Sequence, residues 1–497
     1  MIDGFARVAA SEFATLSAVV IVGGRRRLPW LVSAYGRLDR MAFGAEPAEL
    51  AGLAGRVPHE QLLTGFSLSH ALGLDLDVAF ALGDFDDTVL DGIARHGVWR
   101  FCFGAEGTER EALAGFREVA AAEPVSGSGV KVRLAPGAEP RLAYESWSRT
   151  YPLSVARNRA RLLHKTAEFA WRALREVHRS GVGWLESCRP VGEGPRPAPG
   201  NVMLIRDLSS IGTRLVGTAL SRALHIEQWS LAFRFGEPAD IPEDLAGFTR
   251  IVPPKDRDWA DPFAIDRDGH YYVFFEELPY AAGKGHISML EVEPGGRWSR
   301  PVRVLERDYH LSYPFLLEQE GALYMIPESA QNHSIDLYRC VDFPLHWRLE
   351  RPLLQGVRCV DATLHRAADR WWMFANGAPG ESVMFDDELH LFHSERLLGD
   401  WTPHARNPVK SDARSARPAG GVYQQGDALM RPAQICVPRY GAGLSLNRVQ
   451  RLTPYDYEER QVRRVVPAES AGILGLHTVN RAGALTVIDA FARRPRL

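Results

Sequence analysis

The amino-acid sequence predicts two domains of different fold class: an α/β, Rossmann-like N-terminal domain and an all-β, five-bladed propeller in the C-terminal part. Two observations lead to this prediction. Apolar, β-branched runs alternate with helical periodicity through the first part of the chain, as in a sheet layered with helices. From residue 250 onward, groups of short strands return about every 45–60 residues with turn residues between them, which is typical of propeller blades.

Length and composition support more than one domain. At 497 residues the chain exceeds what one hydrophobic core usually holds. The 59 basic and 61 acidic residues nearly cancel, which argues against nucleic acid or anionic membranes as partners bound through bulk charge. Five scattered cysteines form no C-x-x-C pair, so we expect no metal site, no disulfide framework and a reducing, cytoplasmic location.

Segments that would direct the chain to a membrane are not predicted. The first residues lack the basic and apolar regions of a signal peptide. The apolar runs are shorter than the roughly 20 residues that a membrane-spanning helix needs. We therefore expect no membrane span, and we expect function without a cofactor.

The N-terminal domain is predicted over residues 1–188. Strands are expected at 16–23, 76–83 and 97–104, because each is an apolar run ended by glycine. Helices are expected at 2–15, 31–40, 86–96, 109–122 and, as one long amphipathic element, 154–179. The alternation of apolar and polar residues at 130–134 predicts an exposed edge strand.

Three segments of this domain resemble the formyltransferase family: residues 76–83, G-V-W-R-F-C-F-G at 97–104, and 115–134. In that family an Asn and a His on the third strand and an Asp in a later loop polarise the formyl donor and accept a proton. This chain has Arg100 and Cys102 at the strand positions, and the loop A-P-G-A-E-P holds no Asp. The resemblance therefore implies the fold rather than the activity. Cys102 is expected to be a small buried residue and not a nucleophile.

A linker and four repeated units follow. The segment R-P-V-G-E-G-P-R-P-A-P-G at 189–200 is predicted to be the linker, which leaves 201–497 for the propeller. The four units are marked by the motifs W-A-D-P-F, S-Y-P-F, V-D-A-T-L and R-P-A-G. A fifth blade is expected to combine residues 227–235 with the C-terminal strands.

As a set, these motifs resemble the domain that precedes the glycosyltransferase module in glucosamine inositolphosphorylceramide transferases. The resemblance covers residues 230–497 and also includes M-I-P-E-S, E-L-H-L-F-H-S and G-D-W-T-P-H. More distantly, the layout resembles the five-bladed furanosidase glycoside hydrolases, which place acidic residues at the starts of innermost strands. Together the resemblances imply a carbohydrate or glycoconjugate substrate and a site on the propeller axis.

Three acidic residues are the candidate catalytic groups. Glycoside hydrolysis needs two carboxyl groups whose environments separate their pKa values. The resemblance to the hydrolases implies that Asp261 is the base or nucleophile, and Glu328 is the preferred general acid. Asp361 is expected to position or tune them. Substrate contacts are expected from Glu277, His310, Tyr313, Arg417, Arg431 and His477, with His333 and His390 as further candidates; the arginines suit a carboxylate or phosphate.

Three functions stay open on these grounds. The first is glycosyl hydrolysis or transfer in an acidic funnel. The second is glycan binding without chemistry, in the biosynthesis of a surface polysaccharide or glycolipid. The third is formyl or acyl transfer to an amino sugar by the N-terminal domain. For the aspartates a structural interpretation competes, because Asp at a blade edge often accepts backbone N–H groups.

Overall fold

The computed structural model describes residues 2–17, 19–21, 30–43, 62–64, 75–82, 90–104, 113–192, 201–236, 247–367, 369–377, 385–467 and 472–496. The chain divides into two compact units, Met1–Gly217 and Thr218–Leu497. The linker at 189–200 stays a prediction, because residues 193–200 lie outside the described ranges. No helix in these ranges is both long enough and apolar enough to cross a lipid bilayer.

The first unit contains helices and two small sheets. Its helices are α1 (Ile2–Ala9), α2 (Trp30–Phe43), α3 (Phe116–Ala121), α4 (Val155–Thr166), α5 (Phe169–Ser180) and α6 (Gly183–Ser187), and α7 (Asn201–Leu224) runs past the division after Gly217. Its strands are β1 (Val19–Ile21), β2 (Leu62–Thr64), β3 (Ala79–Ala81), β4 (Val98–Phe103), β5 (Val125–Arg133) and β6 (Arg141–Arg149).

The main sheet of this unit is mixed. Its order is β3-β4-β5-β6, and only the β3–β4 pairing is parallel. The strand expected at an exposed edge lies within β5, between β4 and β6, so that expectation is wrong. Val130 and Val132 are 0% exposed there, because one face of β5 packs on Trp99 and on Phe169 of α5. The alternation of apolar and polar residues reflects this one buried face of β5 and not a position at the edge of the sheet.

Two helix predictions also differ from the structure. The single helix expected over 154–179 is two helices, α4 and α5, separated at Ala167 and Glu168. The Ser154 side chain caps α4 by accepting from the backbone N–H of Arg157 at 3.1 Å. Of the helix expected at 86–96, residues 90–96 form turns, and the rest lies outside the described residues.

The second unit is a β-propeller built from antiparallel sheets. The first sheet contains β9 (Arg257–Arg267), β10 (His270–Pro279), β11 (His286–Val292) and β12 (Val302–Leu305). The second contains β13 (Ser312–Gln319), β14 (Ala322–Glu328), β15 (Ser334–Asp342) and β16 (His346–Gln355), with a 3₁₀ turn at Ala330–Asn332.

The third sheet contains β17 (Cys359–Ala367), β18 (Arg370–Gly377), β19 (Glu388–Ser394), β20 (Thr402–Pro403) and β21 (Lys410–Ser411). The fourth contains β22 (Tyr423–Gln425), β23 (Ala428–Ile435), β24 (Gly443–Leu452) and β25 (Tyr457–Val465). The last sheet joins β26 (Val479–Ala482) and β27 (Leu485–Pro495) to β7 (His225–Phe235) and β8 (Thr249–Ile251). The described part of this unit therefore holds five sheets.

The last sheet brings the two ends of the unit together. Strand β7 pairs antiparallel with β27 along its full length, from His225 opposite Pro495 to Phe235 opposite Leu485. Residues 227–235 thus share a sheet with the C-terminal strands, as the sequence indicates. The hairpin from β9 to β10 turns at Asp268 and Gly269, which adopt φ of 55° and 84°; glycine adopts such a conformation at no steric cost.

Apolar cores lie between successive sheets. Phe274 of the first sheet packs with Met325 of the second. The second and third sheets meet through clusters such as that around Ile326 and Met373, and Trp372 joins the core between the third and fourth. Two further clusters connect the fourth sheet to the last and the last to the first. Burial in these clusters, at about 25 cal/mol per Å² of apolar surface, stabilises the unit.

Candidate functional site

Three innermost strands carry a residue with a left-handed backbone at equivalent points. The residues are Asp261, Tyr313 and Asp361, with φ of 53°, 42° and 56°. At each point the pairing register with the next strand shifts, which marks a β-bulge. A non-glycine residue held at positive φ costs roughly 1–3 kcal/mol and persists only where surrounding contacts fix it. The contacts of these three side chains therefore show which interactions hold the backbone in this strained conformation.

Asp261 is 4% exposed and is held by groups from the last sheet. Its Oδ1 lies 3.1 Å from Nε2 of His477 and accepts a hydrogen bond from the Thr478 hydroxyl at 2.8 Å. Its Oδ2 accepts from the backbone N–H of Tyr313 at 3.3 Å. Burial alone would raise the pKa of Asp261, but the charge on His477 and these hydrogen bonds lower it. Asp261 is therefore an ionised carboxylate.

His477 lies between two buried carboxylates. Its Nδ1 is 2.7 Å from Oδ2 of Asp489, and its other nitrogen faces Asp261. Burial would lower the pKa of His477, but Asp489 and Asp261 together raise it to about 10. His477 is therefore an imidazolium at neutral pH.

The same three residues are the one group in the described part whose ligand atoms are close enough to hold a metal, all within 4.8 Å of one another. Asp489 also accepts backbone N–H bonds from Asp261 at 3.1 Å, from His477 at 2.7 Å and from Thr478 at 3.1 Å. These donors already occupy its lone pairs. The arrangement fits an imidazolium held between two carboxylates better than it fits a cation site.

Asp361 binds an arginine rather than facing the cavity directly. Arg417 donates to it from Nε at 2.6 Å and from Nη2 at 3.2 Å, and Gln434 donates at 2.9 Å. Burial raises the pKa of Asp361, and the guanidinium of Arg417 opposes this. Three donors on one carboxyl group match the ionised form. Asp361 therefore positions and neutralises Arg417, which itself lines the cavity.

Tyr313 turns its side chain into the protein core. The residue is 0% exposed, its hydroxyl lies 2.8 Å from that of Thr363, and it accepts from the backbone N–H of Gly420 at 2.7 Å. These contacts connect three sheets. The structure therefore gives Tyr313 a structural place, which corrects the expectation of a substrate contact.

Two adjacent glutamates at the end of β10 have opposite surroundings, because successive side chains of a strand point to opposite faces. Glu276 lines the cavity, and burial followed by the charge of Asp261 raises its pKa well above the usual value. Glu277 pairs with Arg257 at 2.7 Å and accepts from Ser288 at 2.6 Å. Glu277 therefore belongs to the packing of the sheet and not to the cavity wall, contrary to the prediction. The neighbouring Glu276 takes the place on the cavity wall.

Glu328 and Glu276 meet at one histidine. His310 accepts the backbone N–H of Gly285 at Nδ1, 2.9 Å away, so its proton is on Nε2. That nitrogen lies 3.3 Å from Oε1 of Glu276 and 3.8 Å from Oε2 of Glu328. Burial lowers the pKa of His310. A neutral imidazole therefore presents its N–H to both carboxyl groups.

Burial raises the pKa of Glu328 to about 7. Its partners are weak ones: the backbone N–H of Ala330 at 2.7 Å and the hydroxyl of Ser312 at 3.2 Å. No arginine or lysine pairs with it in the described part of the chain. Glu328 therefore releases its proton near neutral pH, whereas Asp261, on the wall of the same cavity, is already ionised there.

These side chains surround a cavity of about 750 Å³. Its acidic residues are Asp258, Asp261, Glu276 and Glu328, and its basic residues are His310, His333, His477, Arg358 and Arg417. Trp229, Phe385 and Tyr440 supply aromatic surface. The volume suits a sugar or a small oligosaccharide, and aromatic rings beside polar groups are typical of ligand sites.

The structure thus brings Asp261, His310, Glu328, Arg417 and His477 together, as the sequence predicts. Arg431 is elsewhere: it is 1% exposed and pairs with Glu459 through two contacts of 2.7 Å. That expectation is corrected, since both carboxylate oxygens of Glu459 already face this guanidinium. His333 is on the cavity wall but exposed, and His390 is on β19, away from the cavity.

Sequence reasoning missed several residues of the site. Trp229, Asp258, Arg358, Phe385, Tyr440 and Asp489 were not candidates. Asp489 had a signal, because a carboxylate inside the apolar run L-T-V-I-D-A-F needs a buried partner. Trp229 lies within β7, and the others lie at strand ends or in loops, where a single sequence gives no direction for the side chain.

The sequence of the propeller is similar to a known family. Residues 255–480 match the family described as "Glucosamine inositolphosphorylceramide transferase 1, N-terminal". The rice protein glucosamine inositolphosphorylceramide transferase 1 (Oryza sativa subsp. japonica) is 32% identical over 203 residues, and its Arabidopsis thaliana namesake 31% over 216 residues. The matches cover 40% and 43% of this chain but 27% and 28% of those proteins. The chain thus spans about a quarter of the length of the curated relatives it matches.

Solved structures show a more distant likeness. A family 117 glycoside hydrolase from the marine bacterium Zobellia galactanivorans has 12% identity and a TM-score of 0.35, over 54% of this chain and 90% of that one. The catalytic domain of the Coprinopsis cinerea GH62 α-L-arabinofuranosidase has 12% identity and a TM-score of 0.33, over 52% and 97%. The propeller architecture of this chain rests on its own sheets and their packing.

Proposed function

We propose that the C-terminal unit binds a glycan or glycoconjugate in the axial cavity and hydrolyses or transfers a glycosyl group there. One observation carries the proposal. Carboxyl groups with opposite surroundings line a single cavity: His477 and two hydrogen bonds lower the pKa of Asp261, while burial raises the pKa of Glu276 and Glu328. A pair of carboxyl groups divided in this way is what acid–base cleavage of a glycosidic bond requires.

In the proposed reaction Glu328 donates its proton to the glycosidic oxygen as the bond from that oxygen to the anomeric carbon breaks. Asp261 stabilises the positive charge that develops on the sugar and accepts a proton from the attacking water or acceptor hydroxyl. The new bond forms between that oxygen and the anomeric carbon. Because Glu328 has a pKa of about 7, it is a good proton donor near neutral pH.

The relatives support a glycoconjugate substrate. They are named for glucosamine and inositolphosphorylceramide, and the family match over residues 255–480 includes the cavity-wall residues except Trp229. We infer that the substrate is a glycan or the head group of a glycolipid. In the same proposal the five sheets are the five blades of one closed ring, and the protein acts in the cytoplasm.

The test is turnover and binding on a panel of furanosides, hexosaminides and glycolipid head groups. We expect Glu328→Gln and Asp261→Asn each to lower turnover by about 10²–10⁴-fold, the range for general acid–base groups. Asp342→Asn is the control, since its side chain is 74% exposed on β15 and lies outside the cavity. Equal turnover in all four proteins overturns the proposed mechanism.

A glycan-binding module without chemistry is the second candidate. It is favoured by the contacts of Asp261, whose two oxygens already face His477, Thr478 and the Tyr313 backbone. Saturable binding of a glycan without turnover of any substrate in the panel would establish this alternative. If the panel shows neither binding nor turnover, both candidate functions are ruled out.

For the N-terminal unit we propose a formyltransferase-like fold without formyl or acyl transfer. Cys102 is 3% exposed, and burial raises the pKa of its thiol to about 12, so a thiolate is scarce at neutral pH. Arg100 stands at the position of the family's Asn on the same strand. A transfer assay with a formyl donor and amino sugars is expected to show no activity.

A further inference from the structure

The two arginines on the cavity wall differ in whether a carboxylate accompanies them. Asp361 neutralises Arg417, while His477 lies between Asp261 and Asp489. Burial keeps protons on the carboxyl groups of Glu276 and Glu328, so they contribute little negative charge in mildly acidic solution. Arg358 is the cation on the cavity wall that has no carboxylate partner in the described part of the chain.

The side chain of Arg358 is held in place and left unsatisfied. Its guanidinium carbon lies 5.2 Å from the ring centre of Phe385, a cation–π contact that fixes the plane of the group. Its Nη1 is buried and has no hydrogen-bond partner among the described residues. A buried donor without an acceptor destabilises the fold. Such a group is retained at little net cost if a ligand supplies the acceptor.

Phe385 links this group to the second arginine of the cavity. Its carbonyl oxygen accepts from Nη1 of Arg417 at 2.8 Å, while its ring contacts Arg358. The guanidinium of Arg417 lies 4.8 Å from the ring centre of Tyr440. Two planar guanidinium groups, each on an aromatic ring, thus stand on one side of the cavity. Because Asp361 neutralises only one of them, this side keeps one positive charge.

We propose that Arg358 binds an anionic group of the substrate, so that the cavity selects acidic glycans over neutral ones. This inference rests on the proposed function and narrows its substrate class. The guanidinium fork matches the two oxygens of a carboxylate or phosphate, and a lysine cannot offer the same paired geometry. The anionic oxygens of a uronic acid or of a sugar phosphate have the chemistry required.

The experiment compares matched glycans that differ in one group. One series pairs methyl glucuronide with methyl glucoside, and another pairs glucose 6-phosphate with glucose. Longer oligosaccharides containing the same residues extend both series. Binding is measured by calorimetry on the full chain, for wild type, Arg358→Gln and Arg358→Lys. Arg348→Gln is the matched control, because that arginine is 68% exposed and lies outside the cavity.

Wild type is expected to bind the anionic member of a pair at least about tenfold more tightly, the yield of a charged hydrogen bond. In Arg358→Gln the ratio should fall toward one, Arg358→Lys should keep only part of it, and Arg348→Gln should keep all of it. A preference in the glucuronide series identifies a carboxylate as the bound group, and a preference in the glucose 6-phosphate series identifies a phosphate.

Three results overturn the inference. Equal affinity of wild type for both members of every pair removes it but leaves the proposed function standing, since neutral glycans still bind. A preference that survives in Arg358→Gln, shown to be folded by its unfolding midpoint in urea, assigns the anion to another residue. Absence of binding to every glycan, neutral or acidic, removes the proposed function as well.

Discussion

Two buried glutamates of the propeller, Glu328 and Glu459, have opposite electrostatic surroundings. Glu459 is 3% exposed at its side chain and receives Arg431, Lys410 and the Tyr457 hydroxyl, each within 2.7 Å. Burial would raise its pKa, but Arg431 and Lys410 lower the pKa of Glu459 to about 2. Glu328, equally buried, has only uncharged donors, and burial raises its pKa to about 7.

The difference separates a structural carboxylate from a functional one. In the cluster around Glu459, two cations and a hydroxyl occupy both carboxylate oxygens and leave no acceptor for a ligand. Glu328 and Arg358, by contrast, lie on a cavity with fewer partners than their chemistry demands. Perturbed pKa values occur in both clusters, so the shift alone does not identify a site. A site is identified where a charged or polar group lacks a partner and also faces an open cavity.

The largest effect is expected where the satisfied cluster is broken. Glu459→Gln leaves Arg431 as a buried cation without a carboxylate and removes the partner of the part-exposed Lys410, which should lower the free energy of unfolding by about 3–5 kcal/mol. Urea denaturation measures this loss. Glycan affinity of the folded variant should match wild type, because Glu459 is not on the cavity wall.

The neighbouring Glu458→Gln is the control for that variant. Its side chain is 56% exposed, so the change should stay within about 0.5 kcal/mol. A loss of less than about 1 kcal/mol for Glu459→Gln would contradict the view that the cluster holds the fourth sheet together.

The next effect is the pH dependence of stability. The pKa of Glu328 is about 7 in the folded state against a usual 4.5, so the folded protein binds the proton more tightly. This group stabilises the fold fully below pH 4.5, and its contribution of about 3 kcal/mol is lost as the pH rises to 7. Between pH 5 and pH 8, wild type should therefore lose more stability in urea than Glu328→Gln.

Glu459 should show the opposite sign. Its pKa of about 2 lies below the usual 4.5, so its stabilisation is present above pH 4.5 and is lost as the pH falls toward 2. Comparing Glu459→Gln with wild type across that acidic window tests this. If the free energy of unfolding changes with pH in the same way in wild type and in either variant, the proposed difference between the two glutamates is wrong.

The smallest effect concerns the histidine between Glu276 and Glu328. A β-carbon on Gly285 would lie 2.6 Å from the Leu311 carbonyl oxygen, 2.8 Å from Oε1 of Glu276 and 3.0 Å from Cε1 of His310. Gly285→Ala should therefore displace the imidazole and the Glu276 carboxyl group against each other, cost about 1–3 kcal/mol and shift the pH optimum of glycan turnover. Gly295→Ala, with nothing within 4 Å, is the control. An unchanged pH profile in Gly285→Ala would show that His310 does not position these carboxyl groups.

Much of the second unit is accessible to sequence reasoning. Repeated strand groups and the motif W-A-D-P-F indicate inner strands and place Asp261 on the cavity. The N-terminal unit is less accessible, because alternation in β5 looks the same at an edge and in the middle of a sheet. Only pairing on both sides, with β6 that follows directly and with β4 that precedes it by more than 20 residues, decides which it is.

The site residues divide on similar physical grounds. Glu276 and Glu277 are adjacent, and a bulge in β9 sets the register that decides which of them faces the cavity. Arg431 resembles a ligand-binding arginine until Glu459, on a strand 28 residues away, is seen beside it. Tyr313 turns inward because of a positive φ that its sequence does not announce. The local sequence therefore indicates which chemical groups are present better than it indicates which way their side chains point.

The Asp261 carboxylate belongs to the first sheet, while its partners His477 and Thr478 directly precede β26 of the last sheet, and Asp489 of β27 accepts the Asp261 backbone N–H. The site thus lies between the first sheet and the last. A chain that has not yet completed its last strands lacks the imidazolium that keeps Asp261 ionised. During synthesis the cavity therefore gains its charge distribution only once residues 477–489 have been made. Ligand binding at this site would in turn hold the first and last sheets together.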